Sequence, residues 1–248
     1  METRFDFLVG EMEDRPYTKD QMNDLIYRYF PSYSPESCNW IIGTLKQRQL
    51  IAILARGIYI KSKNYFDYDL PISFSKALRT LIKEFPLSEF ACLDSSLLNG
   101  LSDVLHEDRF ILLEVSKRDL FPCYMRLREL TKAEVMLNPN ERELSFYLRD
   151  NSIILKPLFS KSPCRKNGKF TIEKLIVDCY SDRSITHLYE DSDFQRGFEK
   201  IIAQNNVNIS MVLNYAGRRK GKDVVLDMLS RSLPQSHKFV LGEGYLYA

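Results

Sequence analysis

The sequence is poor in the side chains on which metal and redox chemistry depends. Its 248 residues hold three histidines, His106, His187 and His237, and five cysteines. Cys38, Cys92, Cys123, Cys164 and Cys179 are odd in number, widely spaced and never arranged Cys-x-x-Cys, which argues against a disulfide framework or a zinc site and leaves them as reduced core residues. A glycine-rich phosphate loop, a His-Glu-x-x-His helix and a Gly-x-Ser-x-Gly elbow are all missing. No metal or cofactor is therefore expected, and the chain reads as a non-enzyme. No stretch approaches the roughly 18–20 apolar residues that span a bilayer. The acidic start Met1-Glu2-Thr3-Arg4-Phe5-Asp6 is unlike a signal peptide, so a cytoplasmic protein without a membrane partner is expected.

What is present supports a globular fold. Hydrophobic residues make up 44% of the chain and charged residues 27%, enough apolar surface for a core and enough charge to keep the outside wet. The length suits one large domain or two unequal ones. Net charge is only +2, but it is unevenly spread. Glu2, Asp6, Glu11, Glu13, Asp14, Asp20 and Asp24 crowd the start, whereas Ser37 to Phe66 carries Lys46, Arg48, Arg56, Lys61 and Lys63 and no acid.

The first 63 residues read as a winged helix-turn-helix DNA-binding domain. A short helix over Phe5–Met12 is followed by the capping box Thr18-Lys19-Asp20-Gln21 and by Met22, Leu25, Ile26, Tyr29 and Phe30 at helical spacing, ending near Pro31. Ser34-Pro35-Glu36 places an N-cap, a proline at the first helical position and an acid at the positive helix end. In the helix that follows, Cys38, Ile41, Ile42 and Leu45 form one apolar stripe. Ser37, Asn39, Thr44, Lys46, Gln47 and Arg48 then face or flank the other side as candidates for base and phosphate contact, with Trp40 expected to pack against a neighbour. Leu50 to Lys61, broken at Arg56-Gly57, is the expected wing hairpin, whose Arg56 and Lys61, with Lys63 just beyond, would meet DNA phosphates.

Residues 64–72 form the expected linker, 73–233 an α+β body ending in a helical bundle, and 234–248 a tail. A helix over Phe74–Phe85 capped by Ser73 opens the body. Strand-like runs fall at Phe90–Leu93, Phe110–Val115, Val135–Leu137, Leu144–Leu148 and Ile153–Leu158, with helical pieces near Ser95–Leu101 and Leu120–Leu130. From Thr171 onward the period is helical, with stripes at Ile172/Leu175/Ile176/Cys179, Phe194/Phe198/Ile201/Ile202, Met211/Val212/Tyr215 and Val224/Val225/Met228/Leu229.

Candidate chemistry in the body is sparse. Glu114-Val115-Ser116-Lys117 after an apolar strand has the acid and lysine of a metal-dependent nuclease at the wrong spacing. Asp94, like Asp193 of Asp191-Ser192-Asp193, sits where a helix cap is expected, against the alternative of paired carboxylates or a nucleotidyltransferase-like serine. A second basic surface is offered by Lys161, Arg165, Lys166 and Lys169, beside Lys156, and by Arg218, Arg219 and Lys220 with Lys222. Either run would suit phosphates or an acidic protein.

Three segments carry a family resemblance. Leu50–Tyr59, ending Arg56-Gly57-Ile58-Tyr59, together with Glu173–Asp178 and Asn214-Tyr215-Ala216-Gly217-Arg218-Arg219, resembles the AbiEi-type antitoxins of bacterial type IV toxin-antitoxin systems. The resemblance implies an autorepressor that binds double-stranded DNA at repeats in its own promoter, and a monomer is the expected state, although the sequence does not fix it. The resemblance also implies that the protein opposes a nucleotidyltransferase-like toxin encoded beside it, without a stable complex. The alternatives that stand beside it are a winged-helix adaptor holding a partner protein through the body, and a nuclease or nucleotidyltransferase-like enzyme in the body.

Overall fold

Helix starts near the N-terminus form at the capping signals. Thr18 accepts from the Gln21 amide while the Gln21 side chain accepts from the Thr18 amide, and the Ser34 hydroxyl accepts from the Ser37 amide ahead of Pro35. A computed structural model describes residues 5–102, 109–186 and 194–242. Its first unit, the head, comprises α1 (Phe7–Glu11), β1 (Tyr17–Thr18), α2 (Lys19–Tyr29), α3 (Pro35–Gln47), β2 (Ile51–Ala55) and β3 (Ile58–Lys61). The strands form an antiparallel sheet in the order β1-β3-β2. Leu8, Met22, Leu25, Ile26, Cys38, Ile41, Ile42, Leu45 and Ile51 make the head core.

The β2–β3 hairpin is buried on both sides. Side chains of a strand alternate between faces, so Ile51 and Tyr59 turn to the head core while Ala52, Leu54, Ile58 and Ile60 join the core of the body. Each branched side chain buried this way contributes about 1.5–3 kcal/mol. The hairpin is thus a wall shared by both units, not a wing standing free. Gly57, at φ 71°, supplies the left-handed turn between the strands.

The stretch expected as a linker is also packed down. Asn64 pairs with the 204–206 region through backbone bonds, Phe66 is buried, and the Tyr68 hydroxyl donates to the Cys92 carbonyl at 2.5 Å. Separate domains joined by a loose segment are therefore replaced by one continuous packing.

The fold class is α+β. After α4 (Ile72–Glu84), the body builds a mixed sheet from β4 (Phe90–Asp94), β5 (Phe110–Val115), β6 (Val135–Leu137) and β7 (Ser152–Pro157) in the order β4-β5-β7-β6. β4 runs antiparallel to β5, and β5, β7 and β6 run parallel. One face packs on α4 and α6 (Leu120–Leu130) through Cys92, Leu113, Ile153, Leu78 and Leu127. The other packs on α8 (Ile172–Ser181), α10 (Gln195–Gln204), α11 (Ile209–Arg218) and α12 (Lys222–Ser232). The short α5 (Ser96–Asn99) and α9 (Arg183–Thr186) complete the set.

Three local expectations are corrected. Leu144–Leu148 is not a strand but lies in and just after α7 (Glu141–Tyr147), started by an Asn140–Glu143 capping box. α4 begins one residue before Ser73, and no side chain caps it. The tail docks over Gln235–Leu241 as a 3-10 turn, burying His237 and Val240. Among the described residues no helix is long and apolar enough to cross a membrane.

Candidate nucleic-acid interface

α3 is clamped on one side and open on the other. Cys38, Ile41, Ile42 and Leu45 are sealed in the head core, while Asn39, Trp40, Gly43, Lys46 and Gln47 are exposed and Ser37 and Thr44 half-exposed. The Thr44 hydroxyl returns to the Trp40 carbonyl at 2.9 Å, whereas the exposed side chains of Asn39, Lys46 and Gln47 make no hydrogen bond or ion pair among the described residues. Trp40 packs edge-on to Phe5 at 5.7 Å, yet keeps 62% of its surface exposed.

The acid-free strip of the sequence is not acid-free in space. Arg48 closes an ion pair with Asp6. Lys63 is half-buried and its amide donates to Asn206. Burial holds its ammonium below the ordinary lysine pKa, with nearby Asp14 working the other way. The pair with Asp6 draws Arg48 away from the expected phosphate contacts. Arg56 is exposed at the hairpin tip, where its amide donates to the Ser210 hydroxyl in the first turn of α11. Lys46 borders a cleft with Met211 of that same turn, so the two cations flank one point on the body. Lys61 is half-exposed.

The second basic surface is only partly a surface. Arg165 and Lys169 converge on Asp67 at 3.1 and 3.0 Å and bond the backbone of Phe66 and Tyr68. They strap the 64–72 segment to the body. Arg219 turns inward. Exposed cations remain at Lys161, Lys166, Arg218 and Lys220, and Arg218 donates to the Lys161 carbonyl at 2.8 Å.

Beneath that surface lies a buried charged cluster. Lys174 Nζ, fully buried, sits 2.6 Å from Glu114 Oε2 and 2.6 Å from Asp178 Oδ2, and donates to Tyr215 Oη at 3.2 Å. Tyr215 Oη receives the Ser162 hydroxyl at 2.9 Å and donates to Asp178 at 3.0 Å. Arg219 reaches Asp178 and Asp182, and Lys156 reaches Asp182 at 2.7 Å. Burial alone would lower the Lys174 pKa, but Asp178 and Glu114 hold it well above the usual value. Burial pushes Glu114 up to about 7 against the pull of Lys174. Three acids thus face three bases, and removing one partner of such a buried set typically costs about 3–5 kcal/mol.

This cluster absorbs most of the chemistry suspected in the body. Glu114 meets Lys174 and not Lys117, which lies on an exposed 3-10 turn. Asp94 accepts from the Ser96 amide at the start of α5 and pairs with Arg109. Asp191, Asp193, His106 and His187 lie outside the described residues. Lys174 and Asp178 come from one of the family-like segments, Tyr215 and Arg219 from another; the structure brings the two together as a core fastening. Among the described residues no group of three or more His, Cys, Asp or Glu side chains is placed to hold a metal ion.

A family model covers most of this architecture, from residue 37 to residue 235. The chain belongs to a family of unknown function, DUF6577. No curated protein matches it. The DUF6577 range opens inside α3 and closes where the final 3-10 turn begins, so it takes in the shared hairpin and the buried cluster and leaves α1 and α2 outside.

Proposed function

We propose that this member of DUF6577 is a DNA-binding regulator that reads duplex DNA with α3, in a head of winged helix-turn-helix type. One observation carries the reading: α3 is pinned by four buried apolar side chains and turns Ser37, Asn39, Thr44, Lys46 and Gln47 outward. A polar helix face of this kind fits the major groove, where each base pair shows a distinct pattern of donors and acceptors. Arg56 and Lys61 on the hairpin supply phosphate contacts. In the cell this role is that of an autorepressor and antitoxin of the AbiEi type, acting on promoter repeats against a nucleotidyltransferase-like toxin.

The test is a titration of the full chain with its own upstream DNA at several salt concentrations. A salt-sensitive, sequence-selective complex is expected. Arg56→Ala removes a phosphate contact and flattens the slope of log affinity against log salt by about 0.9. Asn39→Ala changes base preference and leaves that slope unchanged. Absence of any salt-sensitive complex overturns the reading. A second reading, a protein partner on the head, is favoured by the exposed aromatics Phe7, Tyr29 and Trp40; co-purification of a neighbouring gene product, lost in Trp40→Ala, would support it.

A further inference from the structure

One feature that DNA reading leaves unexplained is the cleft between head and body. It measures about 320 Å³, inside the range of small-molecule sites. Its walls come from the end of α3, from β2, from the strapped 64–72 segment and from the starts of α8 and α11. Ile51, Ile53, Phe66, Ile172 and Met211 make them mainly apolar. The cations are Lys46, which makes no ion pair among the described residues, and Arg165, whose guanidinium is partly engaged by Asp67. The one acid on the wall, Glu173, is nine-tenths buried and its Oε1 already accepts the Asn208 amide at 3.0 Å. The first turns of α8 and α11 are likewise capped by Thr171 and Asn208, so recognition of charge falls to the two cations.

We infer that this cleft binds a small amphipathic anion, an aromatic or branched aliphatic body carrying one carboxylate or phosphate, with the anionic group on Lys46 and the body against Ile53, Phe66 and Met211. An apolar pocket with a few convergent polar groups orients such a ligand by its charged end. Lys46 also belongs to the face proposed for DNA, and to that extent the regulatory half of the inference rests on that proposal. Ligand and DNA compete for one ammonium, so the anion acts as an inducer that loosens DNA.

Two measurements on the full chain separate the parts. In the absence of DNA, indole-3-acetate, 3-phenylpropionate and hexanoate are titrated by calorimetry and by NMR, each beside its neutral amide, with inorganic phosphate as an anion lacking a body. At least one acid is expected to bind saturably in the cleft, about tenfold more tightly than its amide, and Lys46→Met to remove that preference. Met211→Trp, which fills the cleft from an exposed position, is expected to abolish binding while the chain stays folded. No saturable binding by any of the three acids, or equal binding of acid and amide, overturns the site. The second measurement repeats the DNA titration with the bound acid. Weakened DNA binding that Met211→Trp no longer shows is expected; unchanged affinity overturns the competition. Failure to bind DNA at all would refute the DNA reading and leave the ligand result standing.

Discussion

Glu114 shows how one side chain sets a pH response. Its carboxyl is raised from 4.5 to about 7 because burial disfavours the charged form. A folded-state pKa above the unfolded value means that the folded chain holds this proton more tightly. The stability it lends is complete below pH 4.5 and is lost as pH rises through about 7. Glu114→Gln, neutral at every pH, should therefore gain on the native protein as pH rises across that window. Melting temperatures of the two proteins over a pH series check this; a difference that stays flat or shrinks with rising pH contradicts it. At this scale the sequence was least informative. Asp6 with Arg48 and Arg219 with Asp178 are ion pairs across long separations, and nothing local marks a cation as spoken for. Composition alone left all of these cations available for phosphate.

Elements were far more legible, because capping and periodicity are local signals. α2 and α3 start where their caps stand, and β5 and α6 match their apolar patterns residue for residue. Two local signals mark the exceptions. Asn140 and Glu143 have capping-box spacing, which outranks the apolar character of Leu144–Leu148 and makes α7 a helix. The run Leu50–Leu54 never alternates, the mark of a strand buried on both faces and not of a half-exposed wing. Packing of α10 is the element-scale feature open to a direct test. A Cβ placed on Gly197 would lie 1.8 Å from the Leu101 carbonyl oxygen, and backbone on the far side leaves little room to yield. Gly197→Ala should destabilise the protein by about 1–3 kcal/mol or more. A lower urea midpoint at unchanged slope is the expected signature; an unchanged midpoint would mean that α10 shifts freely.

At the scale of the whole molecule, head and body share a wall and are strapped together. Asn206 bonds Ser62 and Lys63, Arg56 leans on Ser210, and His237 of the final turn is held below its ordinary pKa of 6.5 by burial and by nearby Lys63. One cooperative unfolding transition is expected, with calorimetric and van't Hoff enthalpies equal. Two resolved transitions, or resistant fragments released by protease within residues 64–72, would show that the halves are independent. The order of helices and strands was readable from sequence except at α7, but this union was not, since the faces of a hairpin say that they want burial without saying by what.

The shared hairpin also limits how such a protein can be rebuilt. A recognition head that stands on its own can be exchanged like a cartridge, and a new specificity comes with it. Here any transplanted head must arrive with Ala52, Leu54, Ile58 and Ile60, or close equivalents, already shaped to this body. On the proposed DNA-reading role, new specificity is therefore more accessible by changing exposed letters on α3, one at a time, than by exchanging heads.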